Sequence, residues 1–192
     1  MPAAAEAAFT QVVAAAEIKE RVAELGEAIS DDYRHQEPIL VAVLVGALPF
    51  LADLVRQLTI PARMDFLSIS RFGEGGRIRI TLDVADNLAG KDVVIVEDIV
   101  DTGLSLTVLR RMLLDRGANS VCTAALLDKT TRRLVDVPLE YRGFEVGDEY
   151  LIGYGLDFGG NFRNLPALWA VLDADFISLD PLASARYLYQ HR

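Results

Sequence analysis

Five short apolar runs rich in β-branched residues, at 39–45, 64–69, 93–96, 121–127 and 168–172, most constrain what this chain can fold into. Each is too short for a long helix and too continuous for a half-exposed strand, which would alternate apolar with polar. Such runs suit strands covered on both faces, the mark of a parallel sheet between helices. The intervening segments have helical spacing. Ile18, Val22, Leu25 and Ile29 recur on one face between charged residues, so 14–30 reads as an amphipathic helix ending near Asp31 and Asp32. Residues 49–58 open with Pro49 at a first-turn position, and 105–115 carry Leu106, Leu109, Met112 and Leu113 on one side before Gly117 stops them. Strand and helix in alternation predict an α/β fold, a mainly parallel twisted sheet flanked by helices with right-handed crossovers.

The 192 residues are 52% hydrophobic and 24% charged, enough for one domain with a full-sized core, and no repeat, linker or composition shift marks a second. No apolar run approaches the roughly 18–20 residues of a membrane span. Residues 1–16 are Ala-rich, with Glu6 and no basic cluster, and fit neither a secretory nor a transit peptide. Cys122 is the single cysteine, so an intrachain disulfide and a cysteine-based zinc site are excluded; a reducing, cytoplasmic setting is expected. The net charge of −9 disfavours broad nucleic-acid binding, which needs Lys and Arg against phosphates. If the ligand is itself polyanionic, a metal or a local basic cluster must reverse the sign at the site.

Two segments break the alternation. At 71–81 the chain reads Arg-Phe-Gly-Glu-Gly-Gly-Arg-Ile-Arg-Ile-Thr, a glycine-rich turn running into an alternating strand, which predicts a mobile hairpin. The stretch 145–164 is rich in glycine, aromatic and charged residues, a composition common to functional loops and commoner still in glycine-rich surface loops without function.

The sharpest chemistry lies at 93–106. Val93-Val94-Ile95-Val96 leads directly into Glu97 and Asp98, placing two carboxylates where a buried strand emerges at its C-terminal edge. Ligand crevices of open α/β sheets lie outside that edge. Adjacent strand side chains diverge, so the two acids suit neighbouring hydroxyls of a sugar better than one shared proton. Asp101-Thr102-Gly103-Leu104-Ser105 then turns tightly into a helix, whose first amides, dipole and flanking hydroxyls make a cradle for phosphate. Either half alone has an ordinary explanation: acids are common at strand ends, and Asp-Thr-Gly can be a mere helix cap. Their order, with no room for another element between them, favours a ribose-phosphate site. Neither a Gly-x-x-x-x-Gly-Lys-Ser/Thr loop nor a helix-opening Gly-x-Gly-x-x-Gly is present.

Residues 94–106 resemble the phosphoribosyl-pyrophosphate signature of the type I phosphoribosyltransferases. The likeness extends over about 38–172. Leu126-Leu127-Asp128-Lys129, Val135-Asp136-Val137-Pro138, Gly143-Phe144-Glu145-Val146, the run 148–157 and Phe162-Arg163-Asn164-Leu165 occur in the order seen in hypoxanthine-guanine phosphoribosyltransferases. The resemblance implies one domain over 1–192, with a core at about 36–140 and a small hood from about 1–35 and 141–192, beside a mobile hairpin loop. It further implies purine salvage. Hypoxanthine, and also guanine, would displace pyrophosphate from phosphoribosyl pyrophosphate, giving IMP or GMP in a cytoplasmic homodimer or homotetramer that engages neither nucleic acid nor membrane.

By the same resemblance, Glu97 and Asp98 would hold the ribose hydroxyls, partly through Mg2+, and Asp101, Thr102, Gly103, Leu104 and Ser105 would hold the 5′-phosphate. Asp101 would stand near purine N7 as the catalytic base, or as a hydrogen-bonding and orienting group, since a carboxylate of ordinary pKa, about 4, is a weak base. Lys129 would donate to O6, Tyr150 would stack on the base, the Leu151 carbonyl would read its edge, Asp157 would bind at the purine site and ligate magnesium, and Arg163 would reach pyrophosphate. Val45 and Gly46 would form the pyrophosphate loop, and Arg71 and Phe72 would open the mobile loop. Three departures stand out. Family members have Leu-Lys-Gly where this chain has Leu44-Val45-Gly46, Ser-Tyr where it has Arg71-Phe72, and a longer loop after that pair. They leave a second expectation open, a catalytically weak or inactive regulator of the same fold that binds nucleotides or RNA.

Overall fold

In a computed structural model, which describes residues 2–72 and 77–191, the chain runs α1 (Pro2–Ala8), β1 (Phe9–Val13), α2 (Ala15–Asp32), β2 (Ile39–Leu44), α3 (Leu48–Gln57), β3 (Arg63–Phe72) and β4 (Arg77–Leu82). It continues with β5 (Asp92–Val100), α4 (Leu104–Asp115), β6 (Ser120–Asp128), β7 (Tyr141–Glu145), β8 (Tyr150–Ile152), β9 (Leu168–Val171), α5 (Ala174–Leu179) and α6 (Pro181–Gln190). Two compact units result, Arg21–Gly147 and Met1–Glu20 with Asp148–Arg192.

The larger unit holds a six-stranded sheet ordered β4-β3-β2-β5-β6-β7. All neighbouring pairs are parallel except β3 with β4, a hairpin in which Arg71 pairs with Ile78 and Phe72 with Arg77. The hairpin expected from the sequence is therefore present, while its Gly73-Glu74-Gly75-Gly76 tip lies outside the described residues. The two-residue period of β2 and β5 divides their β-branched side chains between two faces. Ile39, Val41, Val43, Val93 and Ile95 pack with Leu106, Leu109 and Leu113 of α4, and Leu40, Ala42, Val94 and Val96 are buried on the other face.

α2 approaches the C-terminal end of α3 at Gly26 and Gln57, and its Asp32 accepts a hydrogen bond from the Tyr141 hydroxyl of β7 at 2.8 Å. The apolar face formed by Ile18, Val22, Leu25 and Ile29 is buried within the chain and is not available for self-association.

In the smaller unit, β9 pairs antiparallel with both β1 and β8. The apolar run at 168–172 is thus a strand, but not one of the parallel sheet that its continuity suggested. Its burial has another source: Trp169 and Val171 pack with Phe9, Ile152, Phe162, Leu165, Ile177 and Leu188. Among the described residues, no helix is long and apolar enough to cross a membrane.

Asp65 in β3 shows how a buried acid can be structural. Its Oδ2 accepts the Ala85 and Asp86 amides, each at 2.8 Å, and its Oδ1 accepts the Phe66 amide at 2.7 Å. Asp65→Ala strands these donors, and a urea-denaturation experiment is expected to record a loss of about 3 kcal/mol. A loss below about 1 kcal/mol would mean that water replaces the carboxylate.

Candidate active site

β2 connects to β3 on one side of it in the sheet, and β5 lies on the other. Connections leaving in opposite directions open a crevice at the carboxyl ends of the strands. The residues after β2 and at the end of β5 meet there. Gly46 is buried, and an added Cβ would lie 1.5 Å from Asp98 Oδ2 and 2.6 Å from its Cγ, so only glycine permits this approach. Asp98 Oδ1 accepts its neighbour's amide, Ile99 N–H, at 2.8 Å. Glu97, in register with Ala125 of β6, is only 8% exposed, whereas Asp98 is half-buried. Val45 is exposed and follows a cis peptide bond.

The chain leaves β5 through Asp101 and Thr102 and enters α4 at Leu104, with Gly103 as the N-cap at φ +81°. Left-handed backbone favours glycine, and a Cβ here would also come within 3.0 Å of both the Val135 carbonyl oxygen and Val137 Cγ1. The Leu104 amide donates to Thr102 Oγ1 at 3.4 Å, and the Thr107 hydroxyl donates to the Gly103 carbonyl at 3.0 Å. Glu97, Asp101, Thr102, Gly103, Ser105 and Leu106 line one cavity of about 170 Å³ at this turn, together with Ile99 and Val100. A helix N-terminus with hydroxyls and a cavity of that size suits a single phosphate group.

Lys129 follows β6 and is 9% exposed, its amide donating to the Val100 carbonyl at 3.0 Å. A single 3₁₀ turn, Thr130–Arg132, comes next. Arg132, a residue that sequence reasoning missed, donates from Nε to Asp101 Oδ1 at 2.7 Å. Asp128 is buried and neutralised by Arg133 at 2.6 Å and Arg142 at 3.4 Å.

The smaller unit gathers a second group of the expected residues. Tyr150 is 52% exposed, meets Phe158 edge-on with ring centroids 5.5 Å apart, and donates from its hydroxyl to the Asp157 carbonyl at 2.8 Å. Partial burial pushes the Tyr150 phenol above its ordinary pKa, the Asp157 carboxylate adds to the rise and Arg163 opposes it. The phenol is therefore a donor at neutral pH. Leu151 is buried in register with Ala170. Arg163 pairs with Asp157 at 2.6 Å and donates to the Gly155 carbonyl at 2.5 Å. Tyr154 and Phe162 hold positive φ, 43° and 73°, unusual for aromatic residues, in a segment tied by Tyr154 N–H to the Leu165 carbonyl and Gly155 N–H to that of Arg163. The glycine-rich stretch is thus a tightly folded loop carrying an arginine and an aspartate.

The structure accordingly brings Gly46 to Asp98, and joins Glu97, Asp101, Thr102, Gly103 and Ser105 around one cavity. It gathers Tyr150, Asp157 and Arg163 separately within their own unit. The side chains of Arg71 and Phe72 lie outside the described residues.

Paired carboxylates at a sheet switch point, beside a helix N-terminus with flanking hydroxyls, are groups that suit a ribose phosphate, and the chain belongs to the phosphoribosyltransferase family: the family model described as phosphoribosyl transferase domain matches residues 9–158. Within it, the chain is 42% identical over 166 residues to the hypoxanthine phosphoribosyltransferase of Salmonella typhimurium, covering 83% of this chain and 93% of that protein. It is 46% identical over 160 residues to the hypoxanthine-guanine phosphoribosyltransferase of Dictyostelium discoideum, covering 79% of this chain and 89% of that one. A crystal structure of a hypoxanthine-guanine phosphoribosyltransferase from Bacillus anthracis superposes with a TM-score of 0.82 at 35% identity, covering 85% of this chain and 98% of that one. The fold is that of the type I phosphoribosyltransferases.

Proposed function

We propose that this protein is a purine-salvage enzyme that transfers the 5-phosphoribosyl group from phosphoribosyl pyrophosphate to hypoxanthine and guanine, releasing pyrophosphate and forming IMP or GMP. The observation that carries this reading is the cavity of about 170 Å³ bounded by Glu97, Asp101, Thr102, Gly103 and Ser105 at the switch point. Thr102, Gly103, Leu104 and Ser105 bind the 5′-phosphate with peptide amides and hydroxyls, and Glu97 and Asp98 hold the ribose hydroxyls. Val45 and Gly46 face the pyrophosphate. Asp101 accepts or orients the purine N7 proton, and Lys129 donates to O6, which selects 6-oxopurines over adenine. Tyr150 stacks on the base, Leu151 reads its edge through a carbonyl, and Arg163 reaches pyrophosphate. Arg71 and Phe72 open the loop that covers the reacting centre. The two units act as parts of one phosphoribosyltransferase domain.

The donor set suits magnesium. Among the described residues, no three His, Cys, Asp or Glu side chains form a cage able to hold a metal ion alone. Glu97 and Asp98 offer only carboxylate oxygens. This suits a hard cation that keeps its waters and shares the oxygens of a bound substrate. When bound, magnesium supplies positive charge to the departing pyrophosphate, while the protein residues position the two substrates. We place the protein in the cytoplasm as a homodimer or homotetramer. The acidic lining of the cavity counts against an RNA-binding regulator, which needs a basic face.

Purified protein supplied with magnesium, phosphoribosyl pyrophosphate and one purine at a time tests the assignment by chromatography of the product nucleotide. Hypoxanthine and guanine are expected to yield IMP and GMP, and adenine to yield none. Failure of every 6-oxopurine would end the proposal.

A further inference from the structure

We infer that Arg132 is a positioning residue for the reaction, holding Asp101 by one carboxylate oxygen so that the other is presented to the purine. This rests on the assignment of Asp101 to the purine N7 proton. The pair joins Arg132 Nε to Asp101 Oδ1 at 2.7 Å, and Oδ2 accepts no hydrogen bond from the described residues. Both side chains are close to half exposed, and an ordinary surface pair of that kind contributes little. Here, however, the backbone is fixed on both sides of the contact. Lys129 N–H donates to the Val100 carbonyl at 3.0 Å, and the Leu134 and Val135 amides both donate to the Thr102 carbonyl, at 3.0 and 3.3 Å. Residues 129–135 are thereby fastened immediately before and after Asp101. The turn that carries Arg132 is closed by its own amide, which donates to the Lys129 carbonyl at 3.0 Å. The contact uses Nε, the guanidinium nitrogen nearest the backbone, so few side-chain rotations remain to blur it.

The arrangement gives the short turn two tasks. Lys129 at its start faces the purine oxygen, and Arg132 at its end sets the carboxylate that faces the purine nitrogen. Removing the arginine leaves Asp101 in place but free to rotate, which affects the chemical step more than substrate capture.

Steady-state kinetics of Arg132→Gln, Arg132→Lys, Asp101→Asn and the Arg132→Gln/Asp101→Asn double variant test the inference. Arg132→Gln is expected to lower kcat about ten-fold with the KM for phosphoribosyl pyrophosphate changed less than about two-fold, and Arg132→Lys to recover part of the loss. In the Asp101→Asn background, Arg132→Gln is expected to change kcat by less than about two-fold, since both substitutions act on one carboxylate. Unchanged kcat in Arg132→Gln, or effects that multiply in the double variant, would overturn the inference while Asp101 keeps its role. Full activity in Asp101→Asn would overturn the assignment of Asp101 and the inference with it.

Discussion

Gly46→Ala is expected to cut kcat/KM for phosphoribosyl pyrophosphate by on the order of 10²-fold, the penalty of misplacing a reacting group by about 1 Å. The cause is local. A Cβ at this position would lie 1.5 Å from Asp98 Oδ2, and turning Asp98 away breaks the hydrogen bond that its Oδ1 accepts from the Ile99 amide at 2.8 Å. Either the carboxylate leaves the place proposed for the ribose, or the 45–47 loop moves from the place proposed for pyrophosphate. No lysine is there to compensate, because position 45 is valine, so the 45–47 loop itself can meet an anion only through its peptide amides. Overpacking of this kind also costs about 1–3 kcal/mol of stability. The double variant Gly46→Ala/Asp98→Ala separates the two effects: it relieves the crowding, so thermal stability should return while activity stays low. Wild-type kcat/KM in Gly46→Ala would show that the loop and Asp98 do not share a substrate.

The parts of this site that are continuous in the chain were readable from it. The run from Val93 to Ser105 leads from buried strand through paired acids to a helix N-terminus, an order visible in the sequence, although β5 continues past both acids to Val100 rather than ending at Val96. Contacts between distant segments were not readable. Arg132 and Asp101 are 31 residues apart, and an arginine after a strand is ordinarily a solvated charge. The meeting of Gly46 with Asp98 likewise depends on β2 and β5 lying side by side. The run at 168–172 carried burial but no pairing direction, so its place in a separate antiparallel sheet could not be inferred from apolarity. β7 was hidden for another reason: Arg142, Gly143 and Glu145 interrupt it, as an edge strand allows. For α5 and α6 a signal did exist. Asp173 accepts the Phe176 amide and Asp180 the Ala183 amide, with Pro181 in the first turn, and both are N-cap patterns visible in sequence.

Removal of magnesium is expected to abolish turnover by about 10³-fold or more, with activity restored when the metal is returned. The net charge of −9 sets up this result, and the structure localises it. Glu97 and Asp101 line the same cavity as Thr102, Gly103 and Ser105, and Asp98 stands beside Gly46. The arginine that meets one of these acids, Arg132, is already paired with Asp101 at 2.7 Å. Two like charges about 4 Å apart repel by roughly 4 kcal/mol at an effective dielectric constant near 20, about three powers of ten in binding. A substrate carrying a 5′-phosphate and a pyrophosphate would meet that repulsion more than once, whereas magnesium held by the carboxylates would supply charge of the opposite sign. Equilibrium dialysis with labelled phosphoribosyl pyrophosphate, in excess chelator and again with magnesium restored, measures the binding part apart from the chemistry. Retention in chelator should fall to background at substrate concentrations that saturate the magnesium-loaded protein. Tight binding and continued turnover in chelator would mean that the protein's own cations neutralise the substrate, and would overturn the magnesium requirement.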